Sequence, residues 1–240
     1  MSIDIIIIVV FFITIHLLAN KIIPSEHFKR LRWMSFSGGL AVSYVFVYVL
    51  PSLHREQQKL KDYSSTLAME SELYVIGLLG LLLFYSLEKS LSYAQLKGSA
   101  EKNTVFWLQV GFYTLYNMLI SYTVVASNVE GIQAAFYGAA IGLHYIAVAN
   151  DLSLENPDQY NKVGKFVLAF GILTGWGLAI WVTVSSVVQA FIYAFISGAM
   201  ILNVLKNELP KERNAHFLSF SMAIVSYTSI TLTLKYFFEW

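Results

Sequence analysis

Two stretches of equal length decide the fold: FSGGLAVSYVFVYVLP at residues 36–51 and FISGAMILNVLKNELP at residues 195–210. At a fixed offset of 159 residues they share Phe, Gly, Val, Leu and Pro without a gap, and Val42 coincides with Ile201. Both stretches are apolar, and both close on Leu-Pro, which favours a helix boundary because proline restricts the residue before it. The chain therefore contains an internal repeat of a membrane-type segment.

The composition indicates a polytopic membrane protein whose main partner is the lipid bilayer. Hydrophobic residues make up 57% of the chain, charged residues 13%, and the mean hydropathy is +0.60. A soluble core of 240 residues could not bury so much apolar surface. The sequence has no basic run with interleaved aromatic residues, so we expect no nucleic-acid partner. It has no cysteine, which excludes disulfides and thiolate metal sites.

The apolar stretches predict an all-α integral membrane protein with eight transmembrane helices. A membrane helix needs about 20 apolar residues. The predicted spans cover residues 3–19, 33–53, 72–91, 105–126, 131–150, 163–184, 186–206 and 215–238.

The repeat orders these spans. The two repeated stretches lie in the second and seventh spans, five apart, and an odd separation requires the two copies to insert in opposite orientations. We therefore expect a 3+2+3 inverted-repeat arrangement within one transmembrane domain: residues 1–91, the central spans at 105–150, and residues 163–240.

The basic residues predict the orientation. Twelve of the sixteen lysine and arginine residues follow spans one, three, five and seven, and four lie on the opposite side. The positive-inside rule then places both termini on the non-cytoplasmic side, in a plasma or inner membrane.

Several local patterns carry a resemblance to a known family. Ser37-Gly-Gly-Leu-Ala with Tyr48-Val-Leu-Pro51, the run from Gly80 to Glu88-Lys89, and Ala194-Phe-Ile-Ser-Gly198 with Glu208-Leu-Pro210 follow one another in the second, third and seventh spans. In order and spacing they resemble the ZIP metal transporters. The resemblance implies eight helices, a divalent-metal site built by spans four and five, and pairing into a homodimer through the repeat helices.

The same resemblance implies a degenerate metal site. Asn117 and His144 match ligand positions of the family, whereas Tyr116, Ile120, Tyr145 and Val148 replace ligands, and Thr174 stands about where some members carry Glu. Two neutral ligands cannot offset the dehydration of a doubly charged ion in a membrane. We therefore expect no resident cofactor, and a divalent metal at Asn117 and His144 only as a weak ligand.

The residues of the central spans define candidate pathway positions without reference to any family. In span four the polar side chains share one helical face, at Tyr113, Tyr116, Asn117 and Ser121; in span five Tyr137, His144 and Asp151 are seven residues apart, with Tyr145 beside them. Phenol, amide, hydroxyl and imidazole groups can hydrogen-bond a small polar solute, water or a proton. Histidine can also bind a late transition metal.

Two functions follow from these patterns. The first is transport of a weakly bound cation or another small solute along a pathway between spans four and five. The second is a non-transporting structural or regulatory membrane partner, in which Asn117 and His144 form interhelical hydrogen bonds. His16, apolar on both sides, is expected to be structural, and Gly138-x-x-x-Gly142 and Gly171-x-x-x-Gly175 are expected to pack helices closely.

Enzymatic functions are not expected. The sequence has no His-Glu-x-x-His motif and no pair of membrane aspartates. Its serine and histidine residues lack the Gly-x-Ser-x-Gly context of a nucleophile.

Overall fold

The computed structural model is helical. It describes residues 2–22, 26–63, 69–97, 101–127, 129–209 and 215–238, and within these ranges it contains no β-strand. The α-helices are α1 (Ile3–Ile22), α2 (His27–Tyr44), α3 (Leu50–Tyr63), α4 (Glu72–Leu96), α5 (Lys102–Ala126), α6 (Gly131–Glu155), α7 (Pro157–Gln159), α8 (Lys165–Trp181), α9 (Ser186–Asn203) and α10 (Phe217–Phe238). Three π-helical turns interrupt them: π1 (Val45–Val49), π2 (Tyr160–Gly164) and π3 (Val204–Glu208).

Six helical segments in the described part of the chain are long and apolar enough to cross a membrane. They are Phe28–Leu60, Glu72–Leu96, Gly131–Glu155, Pro157–Trp181, Ser186–Glu208 and Phe217–Phe237. The apolar part of α1, Ile3–Ala19, is shorter. Helix α5 is not among the six, because the polar side chains that make it a candidate site also lower its hydropathy. The structure therefore supports an all-α membrane protein, with six helical segments in its described part that are long and apolar enough to cross a membrane. The predicted set of eight spans stays a prediction.

The chain forms two compact units. Unit 1 contains Met1–Asn20 and Leu82–Ile192, and unit 2 contains Lys21–Leu81 and Tyr193–Trp240. The predicted division at 1–91, 105–150 and 163–240 follows the sequence repeat rather than contacts, and it stays a prediction.

Close helix packing in unit 1 depends on glycine. Helix α8 packs against α5, where a Cβ on Gly171 would lie 2.5 Å from the Thr114 carbonyl oxygen and one on Gly175 would collide with the Met118 carbonyl. Helix α6 packs against α1, where a Cβ on Gly142 would lie 2.7 Å from the Phe11 ring. Both Gly-x-x-x-Gly patterns thus bring helices close together, as expected.

Unit 2 uses glycine in a matched way. Helix α2 packs against α10, and a Cβ on Gly39 would collide with the Phe220 carbonyl. Helix α9 lies against α4, where a Cβ on Gly198 would collide with the Gly77 carbonyl. Gly39 and Gly198 are the shared glycines of the sequence repeat, so the same repeat position contacts a backbone carbonyl in both copies.

The two copies of the repeat also share their secondary structure. Helix α2 followed by π1 and helix α9 followed by π3 begin and end at positions separated by the same 159 residues. The copies differ after the turn. Leu50 stays helical at φ −62° and ψ −47°, so the helix continues into α3, whereas Leu209 is extended at φ −63° and ψ 125°. The prediction of an internal repeat is therefore matched by the backbone up to the Leu-Pro step.

Some sequence predictions lie outside the described residues. They concern Pro210 at the close of the second copy and the basic residues Lys211 and Arg213. Glu208 is buried at the end of π3, where its carboxylate accepts a hydrogen bond from the Asn203 amide at 3.0 Å.

Candidate functional site

The candidate residues of α5 point into unit 1. Tyr116, Asn117 and Ser121 are buried, whereas Tyr113 is half-buried. Tyr113 and Tyr116 both pack against the Phe84 ring of α4, with ring centroids 5.7 Å apart in each case. The predicted polar face of α5 is thus an interior face, since three of its four side chains are shielded from solvent.

Helix α1 supplies the partner of Asn117. The Asn117 Nδ2 amide lies 2.9 Å from Nε2 of His16, which is completely buried. An amide nitrogen can only donate, so Nε2 accepts and the ring proton is on Nδ1. His16 is therefore a neutral imidazole, oriented by an asparagine 101 positions away in the sequence.

Helix α6 adds a second imidazole and a phenol. His144 and Tyr145 are both buried. The Tyr145 ring lies 4.9 Å from the His16 ring and 6.1 Å from the His144 ring, and Tyr116 lies 5.7 Å from His144, all measured between centroids. We call His16, Tyr116, Asn117, His144 and Tyr145 the polar cluster; three helices of unit 1 build it.

Several polar atoms around this cluster are buried without a hydrogen-bond partner in the described part of the chain. They are His16 Nδ1, Asn117 Oδ1, Ser121 Oγ and Tyr145 Oη. Buried polar groups in folded proteins are almost always paired with protein or water, because leaving one unpaired costs about 1–3 kcal/mol. The four atoms include both donors and acceptors, so a polar molecule with both functions could satisfy them.

Other predicted candidates do not join the cluster. Tyr137 is buried seven residues, or about 10 Å along the helix, before His144. Asp151 is exposed and accepts a hydrogen bond from the neighbouring Asn150 amide at 3.2 Å. The Thr174 hydroxyl donates to the Gly171 carbonyl of its own helix at 2.8 Å. The predicted polar residues therefore do not form one continuous stripe. Some lie at the interior cluster, Asp151 lies at the exposed end of α6, and the Thr174 hydroxyl bonds the backbone of its own helix.

The cluster offers neutral ligands. Within the described residues, no group of three or more His, Cys, Asp or Glu side chains is placed to hold a metal ion. Two imidazoles, an amide, a hydroxyl and phenols suit a proton, water or a small hydrogen-bonding solute, and they can contact a late transition metal only through imidazole nitrogen.

His16 was expected to be structural, and its place in the cluster was missed. The sequence contained one usable signal, because an ionisable residue inside an apolar membrane-type helix is by default a functional candidate. What the sequence could not show is the contact with Asn117, since these two residues belong to helices far apart in the chain.

Two backbone contacts fix the helices around the cluster. The Tyr160 hydroxyl of π2 donates to the His16 carbonyl at 3.2 Å. At the other end of α1, the Asp4 carboxylate accepts the backbone N–H of Gly131 at 2.7 Å, where a negative charge is favourable because it lies at the N-terminus of α6. Together they join α1 to the start of α6 at Asp4 and to π2 at His16.

Comparison with known proteins corrects the expected family. Residues 82–153 match the family described as "Protein of unknown function (DUF3270)", which spans the end of α4, all of α5 and most of α6. No curated protein and no solved structure matches the chain. The expected membership of the ZIP family is therefore wrong: the short Gly, Leu and Pro patterns that suggested it are ones that close packing of apolar helices also favours. The region similar to the DUF3270 family contains four of the five residues of the polar cluster.

Proposed function

We propose that this protein is an integral membrane transporter that moves a small polar solute, or a weakly bound cation, through unit 1, and that the solute binds at the polar cluster. The observation that carries the proposal is the set of four buried polar atoms without a protein partner among the described residues. In a dry, packed core these atoms would stay without hydrogen bonds, which costs free energy, whereas water or a bound solute would supply those hydrogen bonds.

The chemistry of the cluster supports a neutral or singly charged cargo. Its side chains carry no fixed charge to replace the water shell of a divalent ion. They do supply donors and acceptors on three different helices, so a solute that moves past them can exchange one hydrogen bond for another. Ionisable residues inside membrane segments commonly mark such pathways.

We further propose the 3+2+3 inverted-repeat arrangement for the whole chain, with both termini on the non-cytoplasmic side. Two pairs of packing contacts support it. In unit 2, α2 meets α10 and α9 meets α4; in unit 1, α8 meets α5 and α1 meets α6. An inverted repeat exchanges the first three helical segments with the last three, and α5 with α6. This exchange turns the α2–α10 contact into the α9–α4 contact, and the α8–α5 contact into the α1–α6 contact.

Flux measurements in reconstituted vesicles test the transport proposal. We expect Asn117→Ala, His144→Ala and His16→Ala to change solute flux at least about tenfold while the melting temperature falls little, because in the proposed pathway water would occupy the space that each truncated side chain leaves. Thr14→Val is the matched control, since Thr14 lies on the exposed side of α1 and its hydroxyl bonds its own helix at Val10. Equal flux in all four variants would reject the proposed pathway.

The alternative is a non-transporting membrane partner, and the direct hydrogen bond between Asn117 and His16 favours it. In that case the cluster holds α1 and α5 together, each interhelical hydrogen bond contributing about 1 kcal/mol. Asn117→Ala and His16→Ala would then lower the melting temperature together, and wild-type vesicles would show no flux above protein-free vesicles.

Cysteine accessibility tests the orientation, because the native chain has no cysteine. Ser127→Cys should be labelled from outside in intact cells, and Ser99→Cys only after permeabilisation. The reverse pattern would invert the proposed topology.

A further inference from the structure

Helix α5 carries one further polar side chain on the face that contributes to the polar cluster. Gln109 precedes Tyr113 by four residues and Tyr116 by seven. At about 100° per residue, these three side chains leave the helix within about 60° of one another. Gln109 lies about 10 Å along the helix axis from Tyr116, on the N-terminal side. The polar face of α5 therefore extends beyond the cluster by about two turns.

The side-chain carbonyl oxygen of Gln109, Oε1, is buried without a hydrogen-bond partner in the described part of the chain. An unpaired buried acceptor costs about 1–3 kcal/mol. A polar amide in a membrane helix usually offsets such a cost by a hydrogen bond to another helix. The Gln109 oxygen makes no such bond among the described residues, so helix packing does not account for this side chain.

An aromatic ring from α4 borders the polar face of α5 between the cluster and Gln109. The Phe84 ring contacts the rings of three residues of α5, with centroid distances of 4.5, 5.7 and 5.7 Å to Phe112, Tyr113 and Tyr116. All four residues belong to unit 1. Helices α4 and α5 therefore bound this part of unit 1 together.

Burial decreases along this face toward Gln109. Tyr116 is 3% exposed, whereas Tyr113 and Gln109 are half-buried. In the other direction the helix stays covered, since Ser121 and Val124 are 0% and 1% exposed. The face therefore opens toward the N-terminal end of α5, which the predicted topology places on the cytoplasmic side, and closes toward the C-terminal end.

Two amide oxygens on α5 determine which solute could use this face. Asn117 Oδ1 and Gln109 Oε1 are both buried and have no donor among the described residues. The two residues are about 12 Å apart along the helix axis. An amide oxygen can only accept a hydrogen bond, so each is satisfied by a ligand with an O–H or N–H donor. A carboxylate ion has only acceptors and satisfies neither oxygen.

We propose that the solute pathway continues from the polar cluster to the N-terminal end of α5, and that the Gln109 carboxamide is a second binding position for a small solute with an O–H or N–H donor. This inference rests on the transport function proposed for unit 1. It adds a direction to the pathway and a required chemical group to the solute. The solute exchanges its hydrogen bond to Asn117 Oδ1 for one to Gln109 Oε1, passing Tyr113 between them.

Cysteine labelling tests the pathway without knowledge of the natural solute, because the native chain has no cysteine. Single variants of the full-length protein in lipid nanodiscs are treated with a charged methanethiosulfonate reagent, which reacts with thiols that water reaches. We expect Gln109→Cys to be labelled at least about tenfold faster than Leu108→Cys and Leu115→Cys, because lipid excludes a charged reagent.

The two leucines are matched controls on the same helix. Leu108 lies beside Gln109 in the sequence, Leu115 lies one residue before Tyr116, and their side chains are 52% and 50% exposed on a face that lipid would cover. Equal labelling rates in the three variants overturn the proposal.

Protection from labelling tests the required donor. Tyr113→Cys leaves both amide oxygens in place and puts a thiol between them. Acetamide and acetate have similar sizes, but acetate has no donor at neutral pH. We expect acetamide at about 100 mM to slow the labelling of Tyr113→Cys at least about threefold, and acetate at equal ionic strength to leave the rate unchanged. Adding Gln109→Leu should reduce the protection. Equal protection by both probes, or undiminished protection with Gln109→Leu, contradicts the role of Gln109.

Failure of this inference is distinguishable from failure of the transport function. If Gln109→Cys is labelled no faster than the leucine variants while Asn117→Ala changes solute flux, the inference is wrong and the transport proposal stands. If no variant of the polar cluster changes flux, transport is rejected and the inference with it.

Discussion

The two copies of the repeat have the same backbone as far as a π-helical turn and then diverge. After π1 the helix continues through Leu50-Pro51 into α3, whereas after π3 it ends at Leu209. A proline in a helix cannot donate to the carbonyl four residues earlier, which here is Val47. The Lys235 ammonium of α10 donates to that carbonyl at 2.7 Å. At the step where the first copy stays helical, the carbonyl that proline cannot reach therefore has a lysine ammonium as a donor.

The side chains on the two turns differ as well. Tyr44 and Tyr48 stack across π1, with ring centroids 5.2 Å apart. The equivalent residues at π3 are Asn203 and Asn207. The Asn207 amide donates a hydrogen bond to the Asn203 carbonyl oxygen at 2.8 Å, and the Asn203 amide donates one to the Glu208 carboxylate. The two copies of the repeat therefore share the backbone geometry of the π-helical turn but not its side-chain contacts. Aromatic stacking stabilises π1, whereas a chain of hydrogen bonds that ends at a carboxylate stabilises π3.

The largest expected effect comes from adding a methyl group at the shared glycine. Gly39→Ala and Gly198→Ala each place a Cβ against a backbone carbonyl of the facing helix, which cannot move like a flexible side chain. We expect each to destabilise the protein by about 3 kcal/mol, since overpacking typically costs 1–3 kcal/mol. Thermal unfolding of the purified variants measures it.

Gly177→Ala is the control for this pair, because no described atom lies within 4 Å of a Cβ there. It should leave the melting temperature unchanged or raise it slightly, since alanine favours a helix more than glycine does. Loss of stability in only one of the two repeat variants would show that their packing is not equivalent.

A smaller effect is expected at the hydrogen bond between the Lys235 ammonium and the Val47 carbonyl. Lys235→Met removes the donor to the Val47 carbonyl and should cost about 2 kcal/mol, because hydrogen bonds to charged groups contribute about 1.5–3 kcal/mol. In a Pro51→Ala background the backbone N–H at residue 51 can take its place. The cost of Lys235→Met should then fall below about 1 kcal/mol in a double-mutant cycle, and additive costs would refute the role assigned to Lys235.

The polar chain at π3 is expected to matter somewhat less. Asn203→Leu removes the donor to Glu208 and the acceptor for Asn207, and should cost about 1.5 kcal/mol because a buried carboxylate loses a hydrogen bond. Glu208→Gln in the same background should recover part of this loss, because a neutral amide is less costly to bury. Chemical or thermal unfolding of the single and double variants gives both values.

The smallest effect is expected at the equivalent residue of the first copy. Tyr44→Leu keeps an apolar side chain but loses the stack on Tyr48, worth about 1 kcal/mol. Tyr44→Phe retains the ring, so the difference in stability between Tyr44→Leu and Tyr44→Phe measures the contribution of the ring stack. If Tyr44→Leu proved more damaging than Asn203→Leu, the proposed contrast between aromatic and polar turns would be reversed.

The sequence predicted the helices better than their ends and interruptions. Apolar stretches gave the positions of α4, α6, α9 and α10 because length and hydropathy are local properties. The continuation of the second helix beyond residue 53 was not predicted, because its stabilising partner, Lys235, is distant in the sequence. The π-turns left no trace in the apolar pattern, although the shared Leu-Pro steps marked the place where each copy changes.

The candidate site was predicted in part. Helical spacing grouped Tyr116, Asn117 and Ser121 on one face, and the structure buries all three. The same reasoning placed Asp151 in line with His144, yet α6 carries Asp151 to the surface. Membership of His16 in the polar cluster depended on a tertiary contact with Asn117, which no local pattern encodes.

The uninterrupted run from α2 through π1 into α3 has a mechanical consequence. Its segments contain 18, 5 and 14 residues and together extend about 55 Å at helical rise, against a hydrocarbon layer of about 30 Å. This continuous helix, rather than a loop, carries His54, Gln57 and Gln58, and its geometry fixes the directions in which the three side chains point. One residue inserted at the start of α3 would rotate those three side chains by about 100° around the helix axis and would leave the position of α4 unchanged.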